Sequence, residues 1–127
     1  MIYGTGTDIV EISRVKQALL RTPGLVGRVF TPAEAAYCRA KKNSDASFAA
    51  MFAAKEAVLK SLGCGVLKFR LTEIEIGHQP AGGPVVQLHG KAKAYALANK
   101  VAGVEISLSH SRDFAIAFAI AVKPDRV

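Results

Sequence analysis

The chain has 127 residues, half of them apolar, with a formal net charge of +7 and a pI near 9.7. That length suits one domain, 1–127, with a core of its own, while no apolar run reaches the roughly 18 residues a membrane helix needs. Cys38 and Cys64 are too few for a disulfide framework and fit reduced, cytoplasmic thiols. The start lacks a basic segment followed by an apolar stretch, so export is not expected. The positive charge asks for an acidic partner: nucleic acid, anionic lipid, a phosphorylated small molecule or an acidic protein.

From Met1 the sequence reads as a short strand ending at Asp8, then a helix from about Glu11 to Arg21. Asp8 and Glu11 are three apart, which matches a capping box; the alternative is a free carboxylate at a strand end. Gly4 and Gly6 alternate along the strand and leave room for a ligand or another backbone. They make no dinucleotide fingerprint, because Ile9 stands where the third glycine belongs. Thr22-Pro23-Gly24 stops the helix. Thr31-Pro32-Ala33-Glu34 opens another, running to about Lys41, with Thr as cap, Pro in the first turn and Glu three residues on.

Ala46 to Leu62 reads as one long helix, with Ser44 or Asp45 as cap and Gly63 as stop. Phe48, Phe52, Leu59 and Leu62 form one stripe, and the opposite side is mostly alanine. Such a helix is buried all round, yet it carries Lys55, Glu56 and Lys60. Glu56 and Lys60 are an i,i+4 pair whose local value is only about 0.2–0.5 kcal/mol. Lys55 falls near the centre of the bulky stripe, where an unpaired ion costs several kcal/mol.

After Gly63-Cys64-Gly65 the period changes to two. Leu71–Ile76 alternates as a strand, Pro80–Pro84 turns, and Val85–His89 returns, which makes a hairpin. Lys91–Lys100 is a short helix. A strand from Val104 to His110 and a turn at Ser111-Arg112-Asp113 lead into Phe114–Val122. In that last strand Phe114, Ile116, Phe118, Ile120 and Val122 face one way and four alanines the other. Both faces call for cover, one from the long helix and one from the core or another subunit.

No P-loop, Cys-x-x-Cys or His-Glu-x-x-His occurs, and no serine near His110 sits in a Gly-x-Ser-x-Gly elbow. What remains is Asp8 at a strand end, Glu56 on a buried helix and lysines beside it. Hard oxygen ligands next to ammonium groups suit Mg²⁺-assisted phosphate chemistry. A nucleic-acid-binding module would suit the charge, but the chain has no Trp, and its six Phe occupy apolar periodic positions. A metal-dependent nuclease could use the same two carboxylates.

Four blocks occur in order: Gly6-Thr7-Asp8-Ile9-Val10-Glu11, Phe30-Thr31-Pro32-Ala33-Glu34, Phe52-Ala53-Ala54-Lys55-Glu56-Ala57 with Lys60, and Ser107-Leu108-Ser109-His110-Ser111. Together they resemble the holo-acyl-carrier-protein synthases, the small bacterial 4′-phosphopantetheinyl transferases, over nearly the whole chain. The resemblance implies an α+β fold, with an antiparallel sheet packed on the long alanine-rich helix. It implies transfer of the phosphopantetheine arm of coenzyme A to a serine of acyl carrier protein, for fatty acid biosynthesis, with adenosine 3′,5′-bisphosphate released. By the same resemblance Asp8 and Glu56 hold Mg²⁺ and Lys60 faces the phosphates. The coenzyme A site draws on Lys55, Lys60, Gly63, Gly65, Ser109, His110 and Ser111. The carrier docks on Arg14, Lys16 and Arg21, and the assembly is a homotrimer with sites at subunit boundaries. One position departs from the family: Met51 stands where an arginine commonly grips phosphate, so either the grip is partly rebuilt from Lys41, Lys42 or Lys55, or affinity is lower.

Overall fold

Strand β1 (Ile2–Glu11) does not stop at Asp8. It pairs antiparallel with β5 (Phe114–Val122) as far as Glu11 opposite Phe114, so Asp8 is a mid-strand residue and caps nothing. The expected capping box is therefore absent. Helix α1 (Ile12–Arg21) begins after Glu11, whose side chain caps no backbone group, and the Ile12 N–H donates to the Asp113 carbonyl at 2.9 Å. Pairing with a whole strand outweighs a local cap that satisfies two donors at most. A computed structural model describes residues 1–63 and 68–125, so the expectation for Gly65, like Cys64, lies outside the described residues.

The short helix α2 (Leu25–Val29) leads into α3 (Pro32–Ala40). There the capping box forms as expected: Thr31 Oγ1 accepts from the Glu34 N–H at 3.2 Å, and Glu34 Oε1 accepts from the Thr31 N–H at 2.8 Å. Helix α4 spans Ser44–Ser61. Its cap is Asn43, whose Oδ1 accepts from the Ala46 N–H at 3.2 Å, in place of Ser44 or Asp45. Gly63 ends it in the left-handed conformation, φ 75°, as a C-terminal glycine does at little strain.

The expected strand from Leu71 starts late. Leu71–Glu73 is a single 3₁₀ turn, followed by β2 (Ile74–His78), β3 (Pro84–Leu88) and α5 (Gly90–Ala98). Glu73 explains the delay, since its carboxylate accepts from the Arg70 N–H at 3.0 Å and from the N–H groups of Lys91 and Ala92. It caps α5 and so is held off the ladder. Strand β4 (Gly103–His110) completes the set. The strands form a hairpin, β2–β3, and an antiparallel sheet in the order β1–β5–β4. No helix among the described residues is long and apolar enough to cross a membrane.

Register sorts the three-stranded sheet into two faces. On the inner face Gly4, Gly6, Asp8 and Val10 lie opposite Ala121, Ala119, Ala117 and Ala115. The four alanines are fully buried against α4 and the core around it. A Cβ added at Gly4 would collide with the Ser61 carbonyl oxygen, and one at Gly6 with that of Ala57. Helix and strand thus meet backbone to backbone. On its other sides α4 packs Phe48, Met51 and Leu59 into the core, where the Phe48 and Phe30 rings meet edge to face with centroids 5.0 Å apart. The outer face carries Phe114, Ile116 and Phe118, which are 45%, 43% and 42% exposed, and Ile9 of β1 at 61%.

Candidate active site

Asp8 reaches the site because β1 turns it to the inner face, towards α4. Glu56 comes from α4 itself and is half-buried. The two carboxylates are close enough to act on each other: burial first, and then the Asp8 charge, push the Glu56 pKa up, against a smaller opposing pull from Lys60. Lys60 Nζ donates to Asp8 Oδ1 at 3.2 Å and to the Thr7 carbonyl at 2.9 Å. Asp8 Oδ2 is buried with no hydrogen-bond partner. One half-exposed lysine faces two carboxylates and leaves Asp8 Oδ2 orphaned, and a cation would satisfy both acids.

The donor set speaks to which cation. Among the described residues no group of three or more His, Cys, Asp or Glu stands ready for a metal. Two carboxylates alone fit an ion that fills its octahedron with water and substrate phosphate, as Mg²⁺ does, better than a closed zinc cage. Lys60 stands at the edge of the pair, its side chain half exposed and able to meet an anion from solvent.

Lys55 does not belong to this constellation. Its side chain is 0% exposed and forms a 2.7 Å ion pair with Glu34 Oε1. Its ammonium also donates to the carbonyls of Leu71 at 2.8 Å and Ile74 at 2.6 Å. All three N–H bonds are spent inside the core, so the expected phosphate contact is corrected: Lys55 is an internal tie.

His110 lies on β4, at the opposite edge of the sheet from Asp8. It lines a cleft of about 380 Å³ together with Lys41, Lys42, Met51, Ser109 and a stacked pair, Tyr37 and His78, whose ring centroids are 4.0 Å apart. Asp8, Glu56 and Lys60 do not line it. One protomer therefore brings together Asp8, Glu56 and Lys60, and separately His110 and Ser109, but does not join the two groups. The Ser111 hydroxyl is engaged in the β4–β5 turn with the backbone of Phe114. Gly63 follows Lys60 by three residues, its N–H bonded to the Lys60 carbonyl at 3.0 Å.

On α1, Arg14 and Arg21 are exposed and seven apart, which places them on one face two turns from each other. Lys16 turns elsewhere and meets Asp45 of α4 at 3.5 Å. An apolar cleft of about 410 Å³, lined by Val15, Leu19, Leu25, Phe30 and Phe52, opens with Arg14 on its border. Sequence reasoning missed Glu34 as the partner of Lys55 and the Tyr37–His78 stack. A buried lysine demands a buried carboxylate, and that demand was the available signal. The capping role of Glu34 hid it, because one side chain serves both.

Fold and site define a small α+β transferase. The chain belongs to the 4′-phosphopantetheinyl transferase superfamily, in its holo-acyl-carrier-protein synthase branch; the sequence model of the superfamily matches residues 4–119. It is 49% identical over 125 residues to the holo-[acyl-carrier-protein] synthase of Desulforudis audaxviator, covering 98% of this chain and 95% of that protein. The structure superposes on the Neisseria meningitidis holo-[acyl-carrier-protein] synthase with a TM-score of 0.89 at 31% identity, covering 97% of this chain and 100% of the other. A Helicobacter pylori holo-[acyl-carrier-protein] synthase, solved in complex with coenzyme A, superposes with a TM-score of 0.82 at 29% identity, covering 93% and 99%. The α+β fold and the family implied by the four sequence blocks are both borne out.

Proposed function

We propose that this enzyme transfers the 4′-phosphopantetheine arm of coenzyme A to a serine of apo acyl carrier protein, supplying the holo carrier for fatty acid biosynthesis. The serine hydroxyl gives its proton to water as its oxygen forms a bond to the phosphorus that bears the pantetheine arm. The bond from that phosphorus to the bridging oxygen breaks, and adenosine 3′,5′-bisphosphate leaves. The observation that carries the reading is the convergence of Asp8, Glu56 and Lys60 around the unpartnered Asp8 Oδ2. Asp8 and Glu56 would hold Mg²⁺, whose chemistry when bound is to neutralise charge growing on the leaving phosphate. Lys60 swings from Asp8 and Thr7 to a phosphate oxygen of the substrate and orients it. His110 and Ser109, with Lys41 and Lys42 in the same cleft beside Met51, receive the nucleotide end.

Because Asp8 and His110 lie on opposite edge strands of one sheet and the His110 cleft includes none of Asp8, Glu56 and Lys60, a complete site calls for two chains. A homotrimer that buries Phe114, Ile116 and Phe118 would supply the second. The carrier, an acidic protein, would dock on Arg14 and Arg21, with the apolar cleft beside Arg14 and with Lys16 left to Asp45. The cytoplasm, where both substrates would be met, is the compartment in which we place the reaction.

The deciding experiment mixes the protein with coenzyme A, Mg²⁺ and an apo carrier protein and follows the carrier's intact mass. One added phosphopantetheine is the expected result, and chelation of the metal should stop it. Asp8→Asn and Glu56→Gln should each lower kcat by about 10²–10³, with the double variant little worse than either, since the two act as a unit. Independent additive losses would show that they do not share one cation. Arg14→Glu should raise the KM for the carrier about tenfold, the effect of some 1.4 kcal/mol of lost attraction, and leave the KM for coenzyme A unchanged.

A further inference from the structure

Glu34 and Lys55 form a closed network. Beyond their 2.7 Å ion pair, Glu34 Oε1 accepts from the Thr31 N–H at 2.8 Å and Oε2 from the Ile76 N–H at 2.7 Å. With the two carbonyls that Lys55 meets, the pair ties α4 to α3, to the 3₁₀ turn and to β2. Every donor and acceptor is satisfied. Yet a buried pair adds little net stability, because desolvating two charges offsets most of their attraction.

The opposite side of α4 suggests a different role. There the helix rests on Gly4, Gly6 and the alanines of β5. Apolar contact with so smooth a floor is non-directional. It fixes how near the helix lies, while the turn of the helix about its own axis is set by directional contacts: the Phe48–Phe30 edge-to-face pair, the half-exposed Lys60 on Thr7, and the fully buried bonds of Lys55. Directed bonds of 2.6–2.8 Å do fix that angle. Glu56 follows Lys55 by one residue, about 100° round the helix, so an anchor on Lys55 sets the direction of Glu56 as well.

We infer that the Glu34–Lys55 pair is a positioning device that holds α4 at the rotation bringing the Glu56 carboxylate to Asp8. This rests on the reading of Asp8 and Glu56 as holders of a cation. The test is the double variant Glu34→Gln/Lys55→Met, which removes both charges while nearly keeping their lengths. Mn²⁺ binding is read from water-proton relaxation, next to thermal unfolding and steady-state kinetics well below the melting temperature. The expected result is cooperative unfolding, an Mn²⁺ dissociation constant raised about tenfold, as for outer-shell partners of a metal site, and a matching fall in kcat with the carrier KM unchanged. A folded double variant with wild-type Mn²⁺ affinity and kcat would overturn the inference and leave the pair a tie for stability alone. Should it not fold, Glu34→Asp decides: it keeps both charges and shortens the reach by one carbon. A smaller rise in the same constant is expected there, and wild-type affinity would count as the same refutation. Glu56→Gln is run in parallel. If it keeps wild-type Mn²⁺ affinity, the cation reading itself fails; if it loses that affinity and the pair variants do not, only the positioning role fails.

Discussion

The two faces of the β1–β5–β4 sheet reverse the usual distribution of size. Its smallest residues, Gly6 and Ala115 to Ala121 in alternation, are covered, while Phe114, Ile116 and Phe118 are over two-fifths exposed. Burial of large side chains normally supplies most of the stabilisation, at about 25 cal/mol per Å². On the inner face that gain is given up for proximity. Only with no side chain at Gly4 and Gly6 and methyls along β5 can α4 come near enough for Glu56 to feel the charge of Asp8. The outer face keeps its large residues for something other than the protomer's own core.

That contrast is easiest to break from the inside. Gly6→Val should place side-chain atoms on the Ala57 carbonyl and lever α4 off the strand, at about 3 kcal/mol or more. Ile116→Ala on the outer face, made in the monomeric Phe118→Glu background, should cost the protomer less than about 1 kcal/mol. Urea unfolding measures both, and comparable losses would remove the distinction between the faces. The outer face is probed by Phe118→Glu. The protomer should keep its secondary structure, while light scattering shows a monomer, the unfolding midpoint falls with the loss of the interface, and transfer is lost. An undisturbed trimer with full activity would show that this face covers nothing. The smallest effect belongs to Glu56. Its pKa is raised in the folded state, so folding favours the protonated form, and that contribution fades as pH rises through the shifted value. Above it the charged Glu56 destabilises the metal-free protein. Glu56→Gln should therefore raise the melting temperature by a few degrees at neutral pH in a chelating buffer. The gain should vanish once the pH falls below the ordinary carboxylate range, and a gain independent of pH would mean that the charge is not its source.

Much of this could be seen in the residues. The alternation of β5, the capping box of Thr31 and Glu34, and the α4 residues Glu56 and Lys60 are local or strictly periodic signals. Three features were hidden because a local pattern competed with a distant partner. The Asp8–Glu11 spacing mimics a cap, and only β5, more than a hundred residues away, turns it into strand. Leu71–Glu73 alternates like strand, but Glu73 is drawn off by the start of α5. Lys55 sits beside Glu56 in a run that invites a shared role, and its true partner lies 21 positions earlier. At the cap of α4, Asn43, Ser44 and Asp45 are all competent, so composition alone does not choose among them.

Strand β1 performs three duties within six residues: Gly4 and Gly6 admit the helix, Asp8 turns towards Glu56, and Thr5, Thr7 and Ile9 form part of the outer face. Alternation makes these duties interlock. A slip of one residue against β5 would turn Thr5 and Thr7 toward α4, where even one added carbon has no room, and carry Asp8 to the outside in the same step. The strand thus acts as a gauge for its own assembly. A misregistered chain cannot seat the helix and cannot turn Asp8 towards Glu56, so one register serves both packing and the carboxylate pair.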